Sequence, residues 1–493
     1  MFVASGKSLS NGGPASVLIA YSLIGTMLFC TVQALGELAV ILPVAGSFSA
    51  YSTRFLDPAW GFAMGWNYAM QWLVVLPLEV VAAAITVQYW NSSVSPAAWV
   101  SIFLVIIISI NLFGVRGYGE AEFVFSIVKV IAVVGFIILG ITLDVGGGPG
   151  GEYIGGKYWH YPGAFHNGFK GLCSVFVTAA FAFAGTELVG LAAAEAANPR
   201  KSLPTAVKQV FWRITLFYVV SLTFIGLLVP YNDGRLIGSS SSDAKASPFV
   251  IAIENAGIHG LDSVMNVVIM ISVISVGNSA VYGSSRTLAA LAEQSQAPKI
   301  FAYIDREGRP LVAIIFASLL GIIAFLSASG AEEKVFNWLQ ALSGLSSIFT
   351  WGSMCLCHIR FRRAWKMQGH ALNELAYRSQ AGVLGSWLGF IFNILVLIAQ
   401  FWVGIAPIPN SDGVRITGAV HLVDNFFQAY LAVPVVLLFY IPYKIYYKTP
   451  FMRCKDMDLS TGIRELNLKE LLAEEEVEKA AWPKWKKAYK VVC

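Results

Sequence analysis

The chain has 493 residues, of which 56% are hydrophobic and 13% are charged, with a net charge of +5 and a mean hydropathy of +0.65. A soluble domain has about 25% charged residues and somewhat less than half apolar residues. No globular core needs this much apolar surface, so the excess must face lipid, and the small net charge gives no indication of nucleic-acid binding.

Eleven apolar segments are candidates for membrane-spanning helices. A helix needs roughly 20 apolar residues to cross about 30 Å of hydrocarbon, and the runs at 97–113 and 310–328 are close to the lower limit. The run at 59–89 is longer than needed, which predicts a tilted helix. The eleven segments lie near 15–42, 59–89, 97–113, 120–143, 169–194, 210–230, 263–291, 310–328, 335–358, 383–404 and 424–443.

Lysine and arginine residues are unevenly divided between the two alternating sets of connecting loops. One set holds thirteen and the other holds five, although the loops of the second set are longer. Because cytoplasmic loops carry the excess of positive charge, the first set is predicted to be cytoplasmic. The first set comprises Arg54, Arg116, Arg200, Lys201, Lys208, Lys299, Arg306, Arg309, Arg360, Arg362, Arg363, Lys366 and Arg378, and the second comprises Lys157, Arg235, Lys245, Lys334 and Arg415.

The same topology predicts a membrane domain at 1–447 and a cytoplasmic tail at 448–493. The tail is charged and is expected to form a solvated regulatory helix that sorting or ubiquitination machinery can recognise. Its charged residues include Glu474, Glu475, Glu476, Lys484, Lys486 and Lys487. On the outer side, Asn91-Ser92-Ser93 is a glycosylation sequon that lies close against the membrane.

No sequence feature indicates a metal, a cofactor or a catalytic centre. The six cysteines are scattered, and Cys355 and Cys357 would point about 200° apart on a helix, so they could not share a metal. HExxH and GxSxG motifs, paired aspartates on facing spans and a Gly-rich phosphate loop are all missing. We therefore expect neither an enzyme nor an ATP-driven pump, and no cofactor.

Four ionisable residues lie well within predicted spans, where each is a candidate for a functional role. Lys129 lies roughly 13 Å deep at 1.5 Å per residue, which suits either a proton-carrying group or a permanent pair with a carboxylate. Glu79 lies near the midplane and either faces a site or makes a structural hydrogen bond. Glu37, only a turn or two from a cytoplasmic loop, suits a gate or an interfacial role, and the fourth residue is Glu187.

The strongest candidate site is the stretch FAFAGTELVG at 181–190, where Gly185 and Gly190 flank Thr186 and Glu187 in mid-span. A helix break there would free carbonyls at the end of one half-helix, which suit an ammonium group. It would also free amides at the start of the next, which suit a carboxylate. Close packing of helices against small residues explains the same pattern without a site.

A second polar feature lies in the span at 263–291. Ser275, Asn278 and Tyr282 are spaced by three and four residues, so they share one helix face in the middle of the membrane.

Four stretches strongly resemble the fungal amino-acid permeases, which form the yeast amino acid transporter family of the amino acid–polyamine–organocation superfamily. The resemblance runs along the whole chain and implies a leucine-transporter-like, all-α membrane fold with two inverted five-helix repeats plus two further helices, twelve spans in all. It also implies amino-acid transport by proton symport and alternating access, in the plasma membrane. The stretches are GSFSAYSTRFLDPAWGFAMGWNY (46–68), FAFAGTELVGLAAAEAANPRKSLPTAVKQVFWRI (181–214), SVGNSAVYGSSRTLAALA (275–292) and NWLQALSGLSSIFTWGSMCLCHIRFRRAW (337–365).

The resemblance assigns the break at 181–190 to substrate binding. It puts the substrate's ammonium against the carbonyls of Phe181, Ala182 and Ala184. Gly185 belongs to the same wall, and Thr186 would lie above the substrate at the outer gate.

The resemblance also assigns roles to residues on other spans. Lys129 looks like the lysine that occupies a sodium-site position in proton-coupled relatives, where its charge state is coupled to opening of the site. Glu79 looks like a third-span glutamate that faces the substrate. Ser275 and Asn278 would support the first span from the eighth, whereas Glu37 and Glu187 would have gating or structural roles.

One departure from the family pattern concerns the N-terminus. Family members carry a cytoplasmic region and a broken first helix containing Gly-Thr-Gly just before the Phe-Val that opens this chain at Phe2 and Val3. The amides expected to hold the substrate carboxylate would then be missing, so we expect the chain, taken literally, to transport poorly. A mis-assigned start codon or a truncated gene model would explain the difference, and so would an inactive paralogue.

Two alternative functions are compatible with the sequence. The cargo could be a related amine such as a polyamine, choline or γ-aminobutyrate, although the uncharged wall at 181–186 provides no anionic pocket for a second ammonium. Alternatively, the protein could be a nutrient sensor that binds without transporting, which the incomplete first span favours.

Overall fold

The structure is a computed structural model that describes residues 1–44, 46–90, 93–190, 199–236, 246–329, 332–409, 418–463 and Pro483. The predicted sequon at Asn91 and the charged tail residues at 474–476 and 484–487 lie outside the described residues. The helices are α1 (Ala4–Ile41), α2 (Ser47–Phe55), α3 (Pro58–Gln88), α4 (Pro96–Leu112), α5 (Gly114–Asp144), α6 (Gly168–Phe183), α7 (Pro199–Arg213), α8 (Ser221–Leu228), α9 (Pro248–Asn255), α10 (Leu261–Glu293), α11 (Leu311–Leu320), α12 (Glu332–Met367), α13 (Gly382–Ile405), α14 (Ala419–Tyr430) and α15 (Ala432–Tyr447).

Shorter helical turns connect or extend some of these helices. A π-helical segment at Ile214–Val220 joins α7 to α8, and a 3₁₀ segment at Gly321–Ser329 extends α11. The remaining turns lie at Trp159–Gly163, Lys299–Ala302 and Leu372–Glu374.

Each predicted span corresponds to helix in the structure. Eight helical spans in the described part of the chain are long and apolar enough to cross a bilayer, and a bent helix pair makes a ninth. Of the other two predicted spans, α4 is apolar but has only 17 residues. The second, α12, has 36 residues and contacts α3, α6 and α13. Its buried hydroxyl side chains include those of Ser343, Ser346, Ser347, Thr350 and Ser353, so α12 is an inner helix rather than an apolar outer one.

The span predicted at 424–443 is not one straight helix. The axes of α14 and α15 are bent by 63°, with Pro434 in the first turn of α15. Proline has no amide to donate to the Tyr430 carbonyl in the preceding turn, and the side chain of Gln400 donates to the neighbouring Ala429 carbonyl at 3.2 Å. The bend is therefore stabilised from α13, which local hydrophobicity did not indicate.

Helix α1 is kinked at Gly13, whose φ of 77° and ψ of 169° lie outside helical values. The kink separates a short first arm from a long second arm that begins at Pro14. Backbone groups freed by the kink bond to the loop before α6: the Ala15 amide donates to the Ala164 carbonyl at 2.9 Å, and the His166 amide donates to the Gly12 carbonyl at 2.9 Å. Such replacement partners are what an interrupted helix requires inside a membrane.

The described part of the tail packs against the membrane domain, although the sequence predicts a solvated tail. Met457 and Leu459 are only 3% and 4% exposed. The Met452 amide donates to the Leu56 carbonyl at 2.9 Å, and Arg54 donates to the Thr461 carbonyl at 2.7 Å. Residues 449–463 therefore form a strap across one end of the helix bundle. We call this end of the bundle the tail face.

Within the strap, Asp458 accepts the amides of Ser460 at 3.0 Å and Thr461 at 2.9 Å. These bonds, above all that from Thr461, lower the pKa of the Asp458 carboxyl to about 2, so the turn remains charged at any pH near neutrality.

We expect Asp57→Ala to loosen the strap. Asp57 caps α3 by accepting the Ala59 amide at 2.9 Å, and it also accepts Thr449 Oγ1 at 2.7 Å and pairs with Lys444. Loss of the cap alone costs about 0.5–2 kcal/mol. Asp57→Ala should therefore lower the free energy of unfolding by about that amount and speed proteolysis of the tail in detergent-purified protein.

Asp57→Ser is the matched control, because serine keeps a capping oxygen but cannot also reach Lys444 and Thr449. It should recover most of the lost stability and leave proteolysis fast. Equal protease resistance in all three proteins would contradict the strap.

Candidate functional site

Helix α6 is broken inside the stretch that the sequence singles out. The helix ends at Phe183, residues 184–187 form a turn, and helical backbone resumes at Leu188. Gly185 has a φ of +94°. This is a left-handed backbone conformation, which glycine adopts readily and which is strained for residues that have a Cβ. A Cβ at this position would lie 3.3 Å from Trp72 Cη2 of α3, so the backbone conformation favours glycine and a larger side chain would also be packed tightly against the indole.

The side chains of Glu187 and Thr186 hold the break in place. Glu187 is fully buried, and one of its carboxylate oxygens accepts the Gly185 amide at 3.1 Å. Its other oxygen accepts the Tyr68 hydroxyl at 3.4 Å. Thr186 is 5% exposed and donates its hydroxyl to the Phe183 carbonyl at 2.9 Å. Both residues therefore satisfy backbone groups that the break frees.

The three carbonyls predicted to face the ammonium lie at the end of α6. The Phe181 carbonyl accepts the Ala184 amide at 3.1 Å, and the Ala182 carbonyl accepts the Tyr218 hydroxyl at 2.7 Å. Ala184 itself is the first non-helical residue, with a ψ of 144°. Each carbonyl has two lone pairs, so the bonded ones retain acceptor capacity. Tyr218 lies in the π-helical segment before α8, and no local sequence pattern links it to the break. Only the fold brings that segment against α6.

Helices α3 and α10 meet at the break. The Trp72 indole that covers Gly185 also packs on Gly283 of α10, 3.2 Å from where a Cβ there would lie. Glu79, further along α3, is 7% exposed. Its Cβ lies 3.6 Å from the point where a Cβ would lie at Gly277 on α10. Glu79 therefore lies on the face of α3 that packs on α10, as does Trp72, which covers the break.

Lys129 is paired with a carboxylate that the sequence analysis did not select. Its ammonium donates to Glu122 Oε1 at 2.9 Å and to Ser275 Oγ at 2.8 Å. Ser275 in turn donates to Glu122 at 2.6 Å. This ion cluster of Glu122, Lys129 and Ser275 links α5 to α10. Glu122 precedes Lys129 by seven residues, or about two turns on one helix face, and that spacing was the available signal.

Asn278 makes a separate link from α10. It is fully buried, and its Oδ1 accepts Asn111 Nδ2 of α4 at 2.7 Å. Tyr282, one turn further, stacks on Tyr118 of α5 with ring centroids 4.3 Å apart. The polar face of α10 thus contacts α4 and α5 in the described part of the chain.

Glu37 lies away from the break in a second buried cluster, near the tail face. Arg362 Nη2 and the Ser379 amide each donate to Glu37 Oε2 at 2.8 Å. His358 Nε2 lies 3.0 Å from the other carboxylate oxygen, while His358 Nδ1 contacts Ser386 Oγ at 2.7 Å. Glu37 therefore joins α1 to α12, α13 and the loop between them, a role consistent with a gate or with a structural tie.

Glu37→Ala is expected to destabilise the protein strongly. Removing one partner of a buried ion pair leaves the other charge uncompensated, which costs about 3–5 kcal/mol. The side chain of Arg362 is only 10% exposed, so solvent would compensate little. Thermal unfolding in detergent and the yield of monodisperse protein would measure this loss.

A double-mutant cycle separates the ion pair from a general packing defect. Combining Glu37→Ala with Arg362→Leu removes the stranded charge and should recover part of the stability lost in Glu37→Ala. If the two single losses simply add in the double variant, the pair is not the cause.

The structure thus groups the predicted residues into three places. Phe181, Ala182, Ala184, Gly185, Thr186 and Glu187 form the break; Lys129, Ser275, Asn278 and Glu79 lie where α3, α4 and α5 contact α10; and Glu37 lies in the tail-face cluster. In the part of the chain that the structure describes, a bundle of apolar helices with an inner helix broken around small residues, and with two internal ion clusters, is consistent with a polytopic membrane transporter.

Comparison with known proteins gives the same class and names the family. The chain belongs to the amino acid permease family, whose model matches residues 1–456. It is 62% identical to the general amino-acid permease GAP2 of Candida albicans, over 100% of this chain and 83% of the relative. Identity is 56% to the general amino-acid permease GAP1 of Saccharomyces cerevisiae, over 100% and 82%. For the cationic amino acid transporter 1 of Schizosaccharomyces pombe, it is 53% over 100% and 83%.

These matches confirm the family that the four sequence stretches predict. They also agree with the all-α membrane fold. The protein is an integral membrane protein of an amino-acid transporter family, whose members are permeases rather than enzymes.

Proposed function

We propose that this protein carries amino acids across the plasma membrane together with protons, by alternating access around the break in α6. The observation that supports this is the turn at 184–187, held open by Glu187 and covered by Trp72. Carbonyl groups at the end of α6 attract an ammonium, and the Gly185 amide is already taken by the Glu187 carboxylate. Every amino acid carries an α-ammonium, so the break favours a site for that common part of the substrate.

The substrate range is proposed from the relatives. Two of them are named general amino-acid permeases and a third a cationic amino acid transporter. The backbone groups at the break bind no particular side chain, which suits a broad range in this protein as well.

The ion cluster is proposed as the coupling site. With its proton, Lys129 carries the positive charge that both Glu122 and Ser275 contact. Without it, the charge pairing to Glu122 is lost and α5 is held less tightly to α10. Because α10 also packs against Trp72 and Glu79, a shift of α10 would reach the substrate site.

The tail face is proposed to be cytoplasmic. The strap lies beside Arg54, Arg360 and Gln368, and the loops at this end belong to the arginine- and lysine-rich set. Positive loops mark the cytoplasmic side, so the tail at 448–493 would be within reach of sorting and ubiquitination machinery.

Radiolabelled uptake in cells that lack amino-acid permeases tests the proposal. If the chain transports as proposed, labelled alanine, leucine and lysine will accumulate above the external concentration until a proton uncoupler is added, an outcome that would contradict the poor transport expected from the N-terminal departure. Accumulation that survives the uncoupler would contradict proton coupling. Stronger competition by γ-aminobutyrate or a polyamine than by unlabelled amino acids would favour an amine as cargo.

A further inference from the structure

A polar cavity of about 280 Å³ opens toward the end of the bundle opposite the tail face. It lies between the first arm of α1, the start of α6, the start of α12, the end of α13 and α14. We call it the amide cavity, after the side chains that line it. Its polar lining includes Lys7, Asn11, Asn167, Gln340, Gln400 and Gln428.

The described lining residues of the amide cavity include a positively charged group and no negatively charged one. Lys7 contributes an ammonium, which donates to Asn337 Oδ1 at 2.6 Å, and no carboxylate is present among the described lining residues. An ammonium in a partly desolvated cavity attracts an anionic group. The remaining polar groups are amides, which can donate to an anion and accept from a cation.

Two buried amide atoms in the cavity wall are unpartnered. Gln340 is 3% exposed, and its Nε2 has no hydrogen-bond partner among the described residues. Gln400 is 7% exposed, and its Oε1 is likewise unpartnered in that part of the chain, although its Nε2 is fixed by the Ala429 carbonyl. Leaving a buried donor or acceptor unsatisfied costs about 1–3 kcal/mol, so both atoms favour a polar occupant.

The chemistry of the occupant follows from these groups. Gln340 Nε2 needs an acceptor and Gln400 Oε1 needs a donor, while the positive charge of Lys7, whose own partners include Asn337, favours an anionic acceptor beside it. We propose that the amide cavity is a second binding site for zwitterionic α-amino acids, with the carboxylate toward Lys7 and Gln340 and the ammonium toward Gln400. The volume equals about nine waters at ~30 Å³ each, which leaves room for a small or medium side chain.

The amide cavity lies beside α6, the helix that leads to the break. Thr178 of α6 lines the cavity, and Thr178 precedes Ala184 at the break by six residues, or about 9 Å along the helix. An amino acid bound here lies beside the helix that leads to the break, so the cavity would hold substrate before it reaches the central site. This inference goes beyond proton-coupled transport and does not depend on Lys129.

Equilibrium binding of radiolabelled L-alanine to the purified full-length chain tests the second site. We expect about two bound alanines per chain in the wild type and about one in Gln340→Leu and in Gln400→Leu. Propionate, which has only the carboxylate, and ethylamine, which has only the ammonium, should each compete at least tenfold more weakly than alanine at the amide cavity, because each lacks one charge-assisted bond.

Gln368→Leu is the matched control, since it makes the same substitution at a glutamine outside the cavity, where Gln368 donates to the Met457 carbonyl at 2.8 Å; its stoichiometry should stay near two. Gln340→Glu, which keeps the shape of glutamine and repels a carboxylate, should behave like Gln340→Leu and guards against a folding defect of the leucine variant. Thermal unfolding of each variant verifies that it is folded.

The outcomes also separate this site from the central one. Gly185→Val should remove the central alanine and leave the one that Gln340→Leu removes. If the central site fails but the cavity binds, the wild type will bind one alanine that is lost in Gln340→Leu and kept in Gly185→Val. Unchanged binding in Gln340→Leu, Gln340→Glu and Gln400→Leu would mean that the cavity holds water only and would overturn the inference.

Discussion

Lys129→Ala is expected to abolish concentrative uptake while leaving the protein in the membrane. A membrane potential of 100 mV supplies about 2.3 kcal/mol per elementary charge, enough for about 50-fold accumulation when one proton accompanies each neutral amino acid. If Lys129 is the proton carrier as proposed, removing the ammonium that Glu122 and Ser275 contact should lower the ratio of internal to external substrate to about 1. Radiolabelled uptake at equal surface expression measures that ratio.

Lys157→Ala is the matched control for Lys129. Lys157 also pairs with a glutamate, Glu152, at 2.7 Å, but both side chains are more than half exposed. An exposed pair contributes about 0–1 kcal/mol, so accumulation should be unchanged in this variant. A Lys129→Ala protein that still concentrates substrate would remove Lys129 from the coupling mechanism.

Lys129→Arg distinguishes coupling from a permanent ion pair. Arginine keeps the positive charge beside Glu122 and does not release its proton in proteins. If Lys129 only ties α5 to α10, the arginine variant should transport normally. If the lysine carries the proton, that variant should fold, bind substrate and fail to accumulate it.

The second large effect is expected for Gly185→Val. Valine at a φ of +94° imposes a backbone strain of order 1–3 kcal/mol, and its Cβ would lie 3.3 Å from Trp72. Relief of the strain requires residues 184–187 to change conformation, which would displace the carbonyls and amides at the break. Initial uptake rates per protein at the surface should fall about tenfold to a hundredfold.

Gly257→Val controls for strain alone. Gly257 has a φ of +71° and open space where its Cβ would lie, in the connection between α9 and α10. We expect a comparable loss of thermal stability and an uptake rate close to that of the wild type. Similar uptake defects in both valine variants would show that strain, rather than the geometry of the break, limits transport.

The ion cluster shows why a site residue can be recognised before its partners are. A lysine in an apolar run is visible in the sequence because its charge is costly there. Glu122 lies near the start of the same helix, where a carboxylate is unremarkable; its seven-residue spacing from Lys129 is compatible with a pair, and the side-chain geometry selects it as the partner. Ser275 is 146 positions from Lys129, so no local pattern could join them.

The tail-face cluster was still less accessible to sequence reasoning. Glu37 is recognisable as an ionisable residue within a span, but Arg362 has the pattern of a positive loop residue, and no local pattern marks His358 as a partner. More than 300 positions separate Glu37 from each of them. The packing of α1 against α12 and α13 decides that these groups neutralise one another.

The sequence by itself determined that the chain crosses a membrane, where the spans lie and which family it resembles, and it marked 181–190 as a candidate break. The spans follow from a local property, because apolar runs must face lipid, whereas the glycines in mid-span were compatible with a break or with close packing alone. Only the tertiary structure decided how charges are paired, that the tail packs as a strap, that α14 and α15 bend, and that Gln340 and Gln400 share a cavity. Each of these depends on contacts between distant segments, whose free energy exists only once the helices are packed together.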